Sequence, residues 1–381
     1  MVPLHRIAFM LPIALYQQLV SGTISLPSMR IAIIGAGNGG QAMAGHFALL
    51  GHEVRLYNRR LDRLGEVVHH RTIRLKEAVV GQVQLALVSD SLQGAIDGAE
   101  LVMVTTTADA HRDLARQMAP HLHAGQQVVL NPGRTLGALE FASVLRSMGV
   151  KGVLVAEAQS LIYACRAEAP GEVRVIGVKD RVMLAAHPAK DTDAVLAKVN
   201  SVFPCFIKAP HVLATSLENI GAIFHPPVIL FNAAAIERGN MFYFYQDMTP
   251  AVADFIEALD AERLAVGKAY GLDLLSVSDW VSFAYEGISG STLLEKMRNN
   301  PAYDRIQAPA TLHSRLLLED VPTGVIPMAE LGALAGVPTP LLLAVRHMTE
   351  GLLGMDFAAG GRTLRRLGLE GHTAESLLRD L

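Results

Sequence analysis

The sequence is short of several things, and each shortage removes a class of function. Only two cysteines, Cys165 and Cys205, stand among its 381 residues. They cannot make a disulfide framework and lack the spacing of metal ligands, which suits a reducing cytoplasm. The 14 histidines are scattered rather than clustered, so no metal site is expected. Charge of one sign is missing too, with a formal net charge of -3. Without a basic field there is no electrostatic footprint for nucleic acid, and small molecules become the expected ligands. Internal repeats, low-complexity tracts and long Gly/Ser linkers are absent. The apolar run in "MVPLHRIAFMLPIALYQQLV" is too short to span a membrane, and "SGTISLPS" is a poor cleavage site. No membrane association is expected. Met29 is expected to begin the functional chain, with residues 1–28 as an extension.

What is present is an alternation of strands and helices in a chain long enough for two domains. "RIAIIG", "EVRLYN", "LVMVTTT", "QVVLNPG" and "GVLVA" are short apolar runs ending in Gly, Asn, Thr or Pro, as buried parallel strands do. Between two of them "ADAHRDLARQMAPHL" has helical spacing. "EVRVIGVKDRVMLAAHP" reads as two further strands around the turn "VKDR", and "DTDAVLAKVNSVF" as a helix. Beyond His211 strand-like runs give way to helical periodicity, as in "PAVADFIEALDAERLAVGKAYGL" and "PMAELGALAGV". The expected fold is an α/β Rossmann-type doubly wound parallel sheet over 29–210, followed by an all-helical substrate domain over 211–381. An apolar helix face can equally be core or interface, which leaves a homodimer open.

The first strand runs into "GAGNGG" and then a helix, the context that a dinucleotide fingerprint requires. Gly35 permits the tight turn, Gly37 lets the backbone approach a pyrophosphate, and Gly40 allows the helix to pack on the sheet. The helix N-terminus at Asn38 and Gly39 then offers free N–H groups to phosphate. The second strand ends in "YNRR". An NAD-selective site usually has an acid about 20 residues past the glycines, on the ribose hydroxyl. Asn58 stands there instead, beside Arg59 and Arg60, and guanidinium groups bind a 2′-phosphate well. NADP(H) is therefore favoured over NAD(H). Thr105, closing a later strand, and Asn131 of "LNPGR", at the sheet edge where a nicotinamide should lie, complete the expected cofactor set.

In the helical region, His225 of "ENIGAIFHPP" precedes two prolines that interrupt or begin a helix, a fixed position for an imidazole. Asp320 follows Glu319 in "HSRLLLEDVPTGVIPM", and Arg315 lies upstream. By spacing alone these are equally a solvated charge cluster. The aromatics Phe242, Tyr243, Phe244 and Tyr245 read first as packing. Glu157, Tyr163 and Cys165 of "EAQSLIYACR" can line a pocket or sit in the core.

From Met29 onward the chain resembles the octopine/nopaline (opine) dehydrogenase family. The shared features are "GAGNGG" with "AGHFALLGH", "TTTADAHRDLARQMAPHL", "VVLNPGRTLGALEF", "ENIGAIFHPP" and "EDVPTGVIPM". The resemblance implies an N-terminal nucleotide domain and a helical substrate domain. It also implies reductive condensation of an α-keto acid, such as pyruvate or 2-oxoglutarate, with an amino acid. It carries the acid/base role onto His225, its carboxylate partner onto Asp320, and the substrate-carboxylate contact onto Arg315.

Two other readings stand beside it. Ketopantoate reductases and glycerol-3-phosphate dehydrogenases place a Lys on the helix entering the second domain, but "TSLENIGAIFHPP" has Glu218 and Asn219 there, and Lys208 lies before it. A non-catalytic NADP(H) sensor would be expected to have lost the acid/base, whereas His225, Asp320 and Arg315 are all present.

Overall fold

The computed structural model describes residues 28–285 and 287–381. The expected extension lies, apart from Ser28, outside the described residues.

Eight strands form the central sheet: β1 (Arg30–Ile34), β2 (Glu53–Tyr57), β5 (Leu87–Ser89), β6 (Leu101–Val104), β7 (Gln127–Leu130), β8 (Leu154–Ala158), β11 (Val182–His187) and β12 (Phe206–Lys208). Their order is β12-β11-β8-β7-β6-β1-β2-β5. The chain leaves β1 for β2 on one side and returns to β6 on the other, so the strand order switches between β1 and β6. The crevice above that switch is where doubly wound sheets bind ligands. The central strands are buried on both faces, as their unbroken apolar runs require.

The sheet departs from the expected all-parallel form at one place, where β11 runs antiparallel to β8. A second departure follows from it. The residues read as two strands around "VKDR" part company: β10 (Glu172–Val178) joins β9 (Tyr163–Ala169), β3 (Thr72–Glu77) and β4 (Gly81–Gln84) in a separate sheet ordered β4-β3-β10-β9. This smaller sheet covers the helix Asn38–Leu49, with Ile73 and Leu75 of β3 packed against Gly45. Sandwiched between two sheets, that helix buries every residue from Gly40 to Phe47 and has almost no polar face.

From Val212 to Asp380 the regular elements are helical. Residues Gly221–Phe231, Pro250–Ala269, Ile326–Leu334 and Pro340–Leu353 form its main rods. One apolar core runs without a break from strand residues Val104 and Leu130 to Ile220, Val321 and Leu331, joining the two parts. Arg362, itself buried, reaches from the C-terminal region to the carbonyl oxygens of Ala108, Gly133 and Thr135 and to Glu140. Among the described residues no helix is long and apolar enough to cross a membrane.

Candidate active site

At the nucleotide end, the glycine turn has the shape its sequence implied. Gly35 has φ of +108°, which an L side chain rarely adopts, and its N–H bonds the Tyr57 carbonyl at 2.9 Å. A Cβ on Gly40 would collide with the Gly35 carbonyl oxygen. Beside Gly37, by contrast, there is nothing within 4 Å of a Cβ position. Helix Asn38–Leu49 therefore starts beside open space at Gly37, its N-cap, with no side chain bonded over that end. That cradle fits a pyrophosphate.

The remaining expected cofactor residues divide. Thr105 donates to the Ile34 and Gly35 carbonyls at 3.3 and 2.9 Å, which ties β6 to the turn. Asn38 accepts from the Ala167 N–H at 3.1 Å, anchoring the helix start to β9. Leu161 lies over Gly39. Asn131 is fully buried and its amide is taken up by Ser160 O and Ile162 N, so it positions the 160–162 loop. Asn58 accepts from Ala36 N at 3.4 Å and donates to Arg60 O at 2.8 Å. Of the two arginines, Arg60 is held by both oxygens of Asp62, at 2.9 and 2.7 Å. Arg59 is exposed and has no ion pair among the described residues.

The catalytic candidates meet where the helical part joins the sheet. His225 lies inside helix Gly221–Phe231, with Pro226 and Pro227 also inside it, which corrects the expectation of a helix that starts or breaks at the prolines. Each proline costs the helix one ladder N–H, and the burial of Ile223, Phe224, Val228 and Ile229 around them offsets that loss. The Nδ1 of His225 donates to Oδ2 of Asp320 at 2.6 Å, which leaves Nε2 without a protein partner among the described residues. Phe244 packs edge-on against the imidazole, with centroids 5.9 Å apart. One member of the aromatic group thus walls the site, while Tyr245 stacks on Tyr303 at 4.0 Å.

Asp320 is fully buried. Burial alone would raise its pKa, but Arg134, then His225, then Arg315 hold it below the ordinary carboxylate range. It sits at the start of a buried π-helical turn, Val321–Val325, a local form frequent at functional sites. A Cβ on Gly324 would strike Ala222, so only glycine lets this turn approach the helix of His225.

Arg134 is the residue that sequence reasoning passed over. It lies in the left-handed region at φ +61° and sends its guanidinium to Glu319 at 3.3 Å, Asn219 at 3.1 Å and Asp320 at 3.6 Å. Burial would lower its pKa, but the two carboxylates raise it. Its quoted context, "LNPGR", pointed to the right strand end, yet nothing in the sequence marked the side chain as turned inward. Glu319, also buried, accepts from Ala108 N at 3.1 Å and lies 3.4 Å from Arg315. Arg315 itself stays at the rim, with 62% of its side chain exposed. The structure therefore brings His225, Asp320 and Arg315 into one cluster and adds Arg134, Glu319 and Asn219.

Glu157 resolves toward the core. It is fully buried and accepts from Ala138 N, Thr215 Oγ1 and Ser216 Oγ, all at 2.7 Å. Burial raises its pKa, against those three bonds. Tyr163 is buried with its hydroxyl 2.9 Å from His46 Nδ1, and burial pushes the half-buried Cys165 thiol up to about 11. Cys165 and Cys205 are both free.

A dinucleotide cradle at the switch point, with an imidazole–carboxylate pair facing it from a helical unit, defines a two-domain nicotinamide-dependent oxidoreductase. Comparison with known proteins narrows this class. Residues 208–353 match the family described as NAD/NADP octopine/nopaline dehydrogenase, alpha-helical domain, and residues 30–135 match the NAD-dependent glycerol-3-phosphate dehydrogenase N-terminus. The chain is 37% identical to an opine dehydrogenase of Arthrobacter sp. (strain 1C) over 354 residues, covering 92% of this chain and 98% of that one. It therefore belongs to the octopine/nopaline (opine) dehydrogenase family, NAD(P)-dependent oxidoreductases acting on CH–NH donors. The reaction is reductive condensation of an α-keto acid with the amino group of an amino acid.

Solved structures agree in fold. Octopine dehydrogenase with NADH and L-arginine superposes with a TM-score of 0.76 at 22% identity, covering 92% of this chain and 98% of that one. Yersinopine dehydrogenase bound to NADP+ gives 0.71 at 16% identity, covering 93% and 99%.

Proposed function

We propose that this enzyme prefers NADPH and that His225, Asp320 and Arg315 carry the condensation between a small keto acid, pyruvate or 2-oxoglutarate, and an amino acid. Residues 29–210 bind the cofactor and 211–381 supply the substrate-facing groups. The observation that carries the reading is the His225–Asp320 pair, 2.6 Å apart at the junction of the two parts. The balance is keto acid plus amino acid plus NAD(P)H plus a proton, giving the secondary amine, NAD(P)+ and water. The bound nicotinamide supplies the hydride.

His225 gives a proton from Nε2 to the carbonyl oxygen that departs as water when the imine forms. In the reverse direction it removes one from the secondary amine. Asp320 fixes Nδ1 as the protonated nitrogen and stabilises the imidazolium, as the third group does in other base–orienter pairs. Arg315 orients the keto-acid carboxylate with the donors that Glu319 leaves free. Arg134 keeps Asp320 ionised in a buried site.

The test is NADPH oxidation with keto acids and amino acids offered singly and in pairs. Turnover that needs only the keto acid would contradict the proposal and favour a simple keto-acid reductase. The cofactor preference rests on Arg59, the exposed arginine at the end of β2. Arg59→Ala should raise the KM for NADPH and leave that for NADH unchanged.

A further inference from the structure

Lys179 follows β10 and its ammonium donates to Ser160 Oγ at 3.0 Å. On its other side lies Trp280 of helix Val277–Ala284, with the ring centroid 5.8 Å away. The lysine thus reaches from the nucleotide part to the helical part. Its own backbone N–H bonds Ile162 O at 2.8 Å, and Ser160 O in turn accepts from Asn131 at 3.2 Å. These links hold the ammonium in the same layer as the end of β7, beside the crevice.

No carboxylate lies within ion-pair distance of Lys179 among the described residues. Burial, and then the nearby Arg134 guanidinium, push its pKa down to about 8. An ammonium on a half-buried side chain without a counter-charge is costly to keep. The π face of Trp280 and one hydroxyl compensate only part of that cost.

The condensation joins two substrates that each bring a carboxylate. Arg134 is occupied by Asn219, Glu319 and Asp320. Arg315, on the helical side, takes the keto acid in the proposed reaction, which leaves one carboxylate to be met and Lys179 beside the crevice with no carboxylate partner among the described residues. We propose that Lys179 is the receptor for the carboxylate of the amino-acid substrate, with Trp280 holding the ammonium in place across the cleft. This rests on the opine dehydrogenase reading. The ligand class is an amine with an α-carboxylate, and amines that lack the carboxylate are disfavoured by the cation they leave unpaired.

The experiment uses the proteinogenic L-amino acids that support NADPH oxidation with pyruvate or 2-oxoglutarate, each set beside its carboxamide. The wild-type enzyme should prefer the acid to the amide. In Lys179→Met the KM for the acid should rise roughly 30-fold or more, as when one partner of a buried charge pair is removed. The preference over the amide should disappear, while the keto-acid KM and NADPH binding stay within about twofold; Lys179→Arg should recover part of the loss, since it keeps the charge.

A wild-type enzyme that accepts amides as readily as acids overturns the proposal without any variant. So does a Lys179→Met enzyme whose defect lies in keto-acid KM or NADPH binding. Failure of every substrate pair in the wild-type protein overturns the opine reading itself, and a normal Lys179→Met enzyme overturns only this one.

Discussion

Nδ1 of His225 and Oδ2 of Asp320 lie 2.6 Å apart, although 95 positions separate them in the chain. The carboxylate is wholly buried, and only 16% of the imidazole side chain is exposed. A pair of this kind fixes one ring nitrogen so that the other can exchange protons with a reactant. His225→Ala should therefore cut turnover by about 10² to 10⁴, the usual contribution of one acid/base. Asp320→Asn should fall in the same range, because a neutral amide neither fixes the tautomer nor stabilises the imidazolium. NADPH binding, followed by fluorescence, should be near normal in both. A fully active His225→Ala enzyme would remove the assignment.

Arg134 supplies positive charge between two buried carboxylates. Arg134→Met removes the guanidinium the two share, leaving Asp320 to His225 and Glu319 to the exposed Arg315, and should cost about 3–5 kcal/mol of stability, as broken buried ion pairs do. Arg134→Lys restores the charge but not the fork that serves three partners, so its loss should be smaller. Urea unfolding of the three proteins measures this. Equal stability of wild type and Arg134→Met would show that the ion pairs are worth nothing net.

The glycine turn separates fold from ligand. Gly37→Ala meets no atom within 4 Å, so its thermal midpoint should match wild type. The added methyl group would stand where the pyrophosphate approaches, and NADPH affinity should drop by about tenfold or more. Gly40→Ala strikes the Gly35 carbonyl and should lose stability and binding together. Undiminished NADPH affinity in Gly37→Ala would show that the phosphate does not lie over this turn.

Stability should also depend on pH through two neutral histidines. Burial holds His46 down to about 4, and burial followed by Arg146 does the same to His187. In the unfolded chain an imidazole binds its proton near 6.5. The unfolded state therefore takes up more protons between those values, and the native state loses ground as pH falls from about 6.5 toward 4. For His46 the full effect is about 3 kcal/mol. Denaturant midpoints at pH 7.5, 6 and 5 should fall in that order. A flat profile would mean that these rings protonate normally in the native protein.

The central strands and the glycine turn were legible because β1, β6 and β7 carry unbroken apolar runs, after Arg30 and Gln127 in the first and last, that are followed by glycine or a polar residue. The small sheet was not, apart from "EVRVIGV", since "TIRLKE" is short and half charged and "GQVQ" has a single large apolar residue, so neither stands out as a buried run. Around "VKDR" both strands and the turn were legible, but not that the two strands enter different sheets. At the site, residue types and a family resemblance pointed to His225, Asp320 and Arg315, and to a charge at Glu319 without its partners. Arg134 escaped because its inward turn depends on a left-handed backbone at a non-glycine residue. The tie of Arg60 to Asp62 was not legible for a related reason, since it is a matter of side-chain direction.

Arg362 has a consequence for how the molecule is made. The segment Gly133–Thr135, which carries Arg134, is fastened by a guanidinium that lies 227 positions later than Thr135. During synthesis Glu140 has no access to that partner until Arg362 has left the ribosome. The cofactor half can form its strands early, but the segment that carries Arg134 gains this fastening only once Arg362 has been made, so folding of that edge is tied to the helical half.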